Sequence, residues 1–163
     1  MPIKIDKKLK LKEKYEKVKP EFHNRIKKFI ADEILYFISI GVSPVKGGGN
    51  NPKNSGGGSR FVKYSKSYLT AIKRGNGDLK GKLKAPVNLF VTGNLYKSIK
   101  VKGNATKTFV SFDSPIAKYH NELGAGKKKV IRRLLPTGKG EEFSKVIQNK
   151  IVQTLKDVVK FMN

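Results

Sequence analysis

Cysteine is absent from this 163-residue chain. Disulfides, thiolate nucleophiles and cysteine–zinc sites are therefore excluded, and a reducing compartment is compatible with the composition. Histidine occurs twice, as His23 and His120, a poor set of ligands for zinc. Acids are scarce, 12 Asp plus Glu, and most flank lysines, as solvated surface carboxylates do. A magnesium nuclease needs clustered carboxylates. Asp113, His120 and Glu122 are the nearest approach to a cluster, but no spacing demands that they meet. His120 and Glu122 are two residues apart, so on an α-helix they point about 200° apart and do not share a metal. No serine sits in a nucleophile elbow. No apolar run approaches the roughly 20 residues that span a bilayer. The N-terminal MPIKIDKKLKLKEKYEKVK has lysines but no apolar core, which is not the pattern of a signal peptide. GGG occurs twice in 42–59, but no Lys-Ser or Lys-Thr pair follows at phosphate-loop spacing. GNGDLKG (75–81) has its third glycine one residue late and no apolar strand before it. Both glycine clusters read as loops. The expectation is a protein without catalytic residues, cofactor, metal or membrane span.

What the chain does have is positive charge, 36 Lys plus Arg and a net charge of +24. Such a field draws polyanions and repels copies of itself. It is also spread out. Residues 1–19 hold eight lysines and three acids, and residues 59–107 hold twelve basic residues and one acid, Asp78. A spread of this kind suits bulk nucleic acid better than sequence reading, and it also fits a merely solvated lysine-rich surface. There is no helix-turn-helix pattern, no aromatic-rich RNA-binding strand and no zinc module. What remains is phosphate affinity that falls with salt.

The patterning predicts an α+β fold: a small, mostly antiparallel sheet with two long helices packed on it, plus a long Gly-rich loop. Residues 1–19 read as a basic N-terminal arm, or a short strand, ahead of one α+β domain over 20–163. Pro20 opens the first helix, whose stripe is Phe22, Ile26, Phe29, Ile30, Ile34, Phe37 and Ile38. Gly41 and Pro44 end it. Residues 42–59 form a flexible loop. Phe61, Tyr64, Tyr68 and Ile72 give a mild helical pattern, and Thr92 is placed to cap a short helix through Leu95 and Ile99. Residues 98–112 read as a hairpin around GNAT, with Ile99 and Val101 facing one way on the first arm, and Phe109 and Ser111 on the second. Pro115 starts a short helix that Gly124 stops, and Leu134, Leu135 and Pro136 form an extended piece. The last helix covers about 140–162, with the stripe Phe143, Val146, Ile147, Ile151, Leu155, Val158 and Met162. Glu141 and Glu142 fall in its first turn and Lys160 near its end, matching the macrodipole.

Three segments follow in a characteristic order. GVSPV, a glycine-rich loop and YSKSYLTAIKRG come first. NLFVTGNLYKSIKV is next. AKYHNELGAGKKKVIRRLLP and a long helix close the series. This order resembles the virion-morphogenesis or tail-completion (neck) proteins of tailed phages. Their pattern is a leucine and Thr-Gly-x-Leu-x-x-Ser-Ile, a hairpin, a Tyr-Ala-x-x-His-x-x-Gly-like segment, then an Arg-Pro-Phe-Leu-like stretch. Leu89, Thr92, Gly93, Leu95, Ser98 and Ile99 match the first element. Ala117, Tyr119, His120, Glu122 and Gly124 match the second, with Tyr and His adjacent rather than separated. Arg132, Arg133, Leu134, Leu135 and Pro136 stand at the third, where Arg133 replaces the usual proline and a leucine the aromatic.

The resemblance implies a non-enzymatic structural subunit of the virion neck or tail, assembled in the host cytoplasm. It implies a homo-oligomeric ring around the DNA path, with portal-side and tail proteins as neighbours and non-specific contact with DNA. Thr92, Gly93, Leu95, Ser98, Tyr119, His120, Glu122 and Gly124 become fold-motif or subunit-interface candidates. Lys127, Lys128, Lys129, Arg132 and Arg133 become candidates for a basic loop at the DNA path. The Gly-rich loop is expected to be mobile in the free subunit and to order on docking. The alternative is a free-standing, non-specific nucleic-acid-binding protein.

Overall fold

The computed structural model describes residues 7–46, 60–75, 77–103, 108–137 and 141–162. The fold is α+β. Helix α1 spans Lys7–Ser39, α2 Lys66–Arg74 and α3 Asn94–Lys97; strands β1 (Ile99–Gly103) and β2 (Thr108–Phe112) follow. Next is α4 (Pro115–Lys118), which runs into a π-helical turn over Tyr119–Leu123, and α5 (Lys145–Met162) is last. The Gly-rich loop expected to be mobile lies, from residue 47 to 59, outside the described residues.

Helix α1 begins well before Pro20, which sits inside it. The arm or strand expected over residues 1–19 is therefore helix from Lys7 onward. Lys, Leu and Glu make up residues 7–19 apart from Tyr15 and Val18, and all three are good helix formers. An interior proline costs about 3 kcal/mol, which a long run of such residues can absorb. Past Pro20 the stripe behaves as its period requires. Ile30, Ile34, Phe37 and Ile38 are buried, while Ile26 and Phe29 pack against the core from its edge. Gly41 ends this turn at φ 78, and a Cβ there would come within 2.8 Å of the Pro86 Cβ. Glycine at this position allows α1 to seat on the segment before the hairpin.

The hairpin pairs β1 and β2 antiparallel, with Ile99 opposite Phe112 and Val101 opposite Val110. Those four side chains are half-buried, whereas Phe109 is 65% exposed and Ser111 is exposed. The second arm thus presents Val110 and Phe112 inward, not Phe109 and Ser111. Side chains alternate with period two, so a one-residue slip turns every one of them to the other face. Helix α1 lies against β1, and α5 lies against α1. The second long helix thus reaches the sheet through the first.

Helix α5 starts at Lys145, so Glu141 and Glu142 precede it instead of occupying its first turn. Two backbone bonds hold that lead-in: Lys46 N–H to the Glu142 carbonyl at 2.9 Å and Ser144 N–H to the Pro44 carbonyl at 2.8 Å. They tie the chain leaving α1 to the chain entering α5. Ile147 is fully buried and Ile151 half-buried, but Val146 is 43% exposed and stands off the stripe. The side chains of Leu155, Val158 and Met162 lie outside the described residues. Lys150 Nζ meets Glu33 Oε2 at 2.8 Å across α1 and α5, a partly exposed pair worth at most about 1 kcal/mol.

The core joins α1 (Ile30, Ile34, Ile38) to Phe61, to Val87, Leu89 and Leu95, and to Ala117 and Leu134. Ile34 has no exposed surface at its centre. Ile34→Ala is expected to lower unfolding stability by about 2–5 kcal/mol in urea titration, while Lys28→Ala on the exposed face stays within about 0.5 kcal/mol.

Candidate functional site

The three motif elements, at 89–99, 117–124 and 132–136, meet in one place. Leu89 and Leu95 from the first, Ala117 from the second and Leu134 from the third all belong to the same buried cluster. What holds them there is polar. Asn121, in the π-helical turn, is 7% exposed. Its Oδ1 accepts hydrogen bonds from the backbone N–H of Leu134 at 2.6 Å and Leu135 at 3.0 Å. The Asn121 carbonyl accepts from Arg133 Nη1. Arg133 Nε in turn lies 3.3 Å from Glu141 Oε1, and Ser43 Oγ donates to the Arg133 carbonyl at 2.7 Å. One amide side chain thus clamps the extended 132–136 piece against the α4 region.

Gly124 makes the clamp possible. It sits at φ 82, and a Cβ there would lie 2.3 Å from the Lys129 carbonyl oxygen. The chain folds back so closely that Ala125 and Val130 exchange both backbone bonds, at 2.9 and 3.0 Å. Lys127, Lys128 and Lys129 form the exposed tip of this turn, with Lys129 at φ 46. They are solvated, as expected for a basic loop.

Arg132 and Arg133 are not part of that tip. Arg132 is 5% exposed. Its Nη2 donates to the Val62 carbonyl at 3.1 Å, its N–H donates to the His120 carbonyl at 2.7 Å, and its guanidinium stands 5.8 Å from the Tyr64 ring centre. The expected placement of these two arginines along a solvent-facing basic loop is corrected. The planar fork of arginine serves here to bind carbonyls.

His120 is half-buried beside two cations. Burial first, then the charges of Arg132 and Lys82, push its pKa down to about 4, so it stays neutral at physiological pH. Lys82 sits 5.2 Å from the Tyr64 ring centre and donates to Asn88 Oδ1 at 3.3 Å and to the Phe90 carbonyl. Its burial lowers its pKa to about 8. Burial raises the phenols of Tyr64 and Tyr96, the latter to about 12. Tyr96 donates to the Asn88 carbonyl at 2.6 Å. Asn88 thus organises the turn before α3, where Leu89 is held at φ 53.

The first motif caps differently from expectation. Thr92 is exposed, and the N-cap of α3 is Gly93 at φ 81, with no side-chain cap bond. A threonine is strained at such a φ, so the glycine takes the corner. Leu95 is 4% exposed. Ser98 Oγ donates to the Leu95 carbonyl at 2.7 Å, and the Ser98 carbonyl accepts from Asp113 N–H at 2.9 Å across the mouth of the hairpin.

Tyr119 and Glu122 face solvent. Ile116, Tyr119 and Leu123 are spaced three and four residues apart and are 48%, 56% and 51% exposed. They line the outer side of the α4 region, while Ala117 and Asn121 point in. Asp113 and Glu122 are exposed, His120 is half-buried, and no group of three potential metal ligands occurs among the described residues. Asn121, Tyr64, Lys82 and Asn88 are the residues that sequence reasoning passed over. A buried polar residue flanked by titratable ones carries no signal until its backbone partners are known.

Comparison with protein-family models, with curated proteins and with solved structures gave no match.

Asn121→Ala leaves two backbone donors without their acceptor, and it is expected to destabilise by roughly 2–4 kcal/mol. Asn121→Asp keeps an acceptor oxygen and is expected to lose less at neutral pH, both read by denaturant titration. The depressed His120 pKa sets a pH dependence. The unfolded histidine takes a proton below its ordinary 6.5, and the folded one only below about 4. Stability is therefore expected to fall as pH drops from about 6.5 to 4, and His120→Phe to flatten that slope.

Proposed function

We propose that this chain is a non-enzymatic neck or tail-completion subunit of a tailed phage, working as a closed homo-oligomeric ring around the DNA path. One observation carries the reading. The three motif elements that resemble this family, those at 89–99, 117–124 and 132–136, all contribute to a single buried cluster through Leu89, Leu95, Ala117 and Leu134. Motifs that build a core mark a fold-forming series rather than a reactive centre. The polar atoms of the third segment go to backbone carbonyls and amides, which makes that segment a brace.

The outer side of the same region supplies a surface for a second copy. Ile116, Tyr119 and Leu123 are exposed together on it, and burying such side chains between subunits is favourable at about 25 cal/mol per Å². The net charge of +24 opposes this. Repulsion between copies weakens as salt shortens the Debye length, or when DNA occupies the lumen. A ring on DNA needs positive charge and no base reading, and a basic chain with three solvated lysines at a turn tip meets that need. The neighbours in this reading are portal-side and tail proteins of the virion.

Negative-stain imaging and mass analysis of purified particles test the proposal. The chain is expected at the head–tail junction, and its absence from particles overturns the reading. In sedimentation velocity the oligomer is expected to grow with protein concentration and with moderate salt. Leu123→Lys is expected to abolish that growth while circular dichroism stays unchanged. A chain that remains monomeric throughout and holds duplex DNA tightly near physiological salt establishes the free-standing nucleic-acid-binding alternative.

A further inference from the structure

A second surface lies away from the clamp. Between the end of α1, α2 and the segment before α3 there is an open cleft of about 580 Å³. That is within the usual range of ligand pockets. Its floor is aliphatic and aromatic, with Phe61 and Val87 buried and Leu69 half-buried. Gly41 and Pro86 form one wall at the close approach already described. Around the floor stand four exposed cations: Arg60, Lys63, Lys73 and Lys84. They come from three segments: the chain entering α2, α2 itself, and the turn at 82–86.

We propose that this cleft docks an extended acidic peptide segment of another protein, with an aliphatic side chain on the floor and carboxylates on the cationic rim. Charge complementarity decides the occupant. Among the described residues no carboxylate lines the cleft, and residues 47–59, which precede Arg60 in the chain, include no acid. A second copy of this chain is disfavoured by its own +24. Four cations on three segments match a run of carboxylates better than one anion. Nucleic acid fits less well, because base stacking needs an open aromatic face. Phe61 is 5% exposed, and the Tyr64 ring already has Tyr68 at 4.9 Å and the cations of Lys82 and Arg132 at 5.2 and 5.8 Å. This inference stands apart from the reading as a neck subunit, since it concerns the isolated chain.

The test is fluorescence anisotropy on the full chain at about 0.15 M salt, where surface charges are screened beyond about 8 Å. The probe is a labelled peptide of alternating glutamate and leucine, compared with a glutamate–glycine peptide of equal charge and an oligothymidine of equal length. The glutamate–leucine peptide is expected to bind at least about tenfold more tightly than the glycine one, the worth of one buried aliphatic side chain. Lys73→Glu/Lys84→Glu is expected to weaken it by about tenfold or more through lost charge-assisted contacts, and Lys28→Glu/Lys156→Glu far less. Leu69→Asn, which leaves the rim intact, is expected to remove the preference for leucine. Equal binding of both peptides, or equal loss in the two charge-reversal variants, shows general charge attraction and overturns the proposal. An oligothymidine that binds more tightly, and loses its binding in Lys73→Glu/Lys84→Glu, makes the cleft a nucleic-acid site and also overturns it. Presence or absence of the chain in virions bears on neither outcome.

Discussion

The fold turns on an amide that has to be satisfied. Asn121 is buried, and a buried amide without partners costs a few kcal/mol. It meets that demand by accepting from two successive backbone N–H groups, those of Leu134 and Leu135. The result is positional. Leu134 is drawn fully into the core, where it meets the α1 stripe and the motif turn around Leu89 and Leu95. The extended 132–136 piece belongs to no strand, so without the amide the N–H groups of Leu134 and Leu135 would lose the acceptor they have. A polar contact thus determines which apolar side chain completes the core. Gly124 is the geometric condition for it, because only a residue without Cβ lets the chain return close enough to Lys129.

The same region sorts the two kinds of cation. Arg132 and Arg133 are drawn inward and spend their N–H groups on the carbonyls of Val62 and Asn121 and on the carboxylate of Glu141. Lys127, Lys128 and Lys129 stay in water. Guanidinium is weakly hydrated and carries a fixed fork of donors, whereas ammonium is strongly hydrated. Buried Arg132 is met by a backbone oxygen, and half-buried Arg133 by a backbone oxygen and the Glu141 carboxylate. His120 beside Arg132 is kept neutral first by its burial and then by the positive charges of Arg132 and Lys82.

Much of the architecture is legible in the sequence because it depends on period and local punctuation. The α1 stripe, the 98–112 hairpin and the stop at Gly124 need only neighbours in the chain. The misreadings have a common origin. Pro20 carries a local penalty, but the segment before it is rich in helix formers. The second arm of the hairpin has an apolar residue on either alternation, Phe109 or Val110, and only pairing with β1 chooses between them. Thr92 is a good cap by type, yet the corner needs a positive φ that falls on Gly93. Glu141 fits the start of a helix, but it is held instead by Arg133 and by the N–H and hydroxyl of Thr137, the two Thr137 bonds at 2.6 and 3.0 Å. At the site, His120 and Glu122 attract attention because they titrate. The residue between them does the positioning, and its partners lie far enough along the chain that no short motif reveals them.

The chain's charge connects these structural facts to partnership. A net charge of +24 spread over a small surface opposes close approach of like copies; ion pairs such as Glu33 with Lys150 and Glu141 with Arg133 redistribute charge within the chain and leave that net value as it is. Anionic partners therefore have an electrostatic advantage at almost any face. That advantage is unselective, and selectivity has to come from shape and apolar contact. Two faces supply it. The outer side of the α4 region offers exposed apolar groups on a helical face, which suits a contact between subunits. The cleft beside α2 offers an aliphatic floor inside a cationic rim, which suits a chain carrying both carboxylates and aliphatic side chains. The lysine field sets the sign of the partners, and the apolar groups set their form.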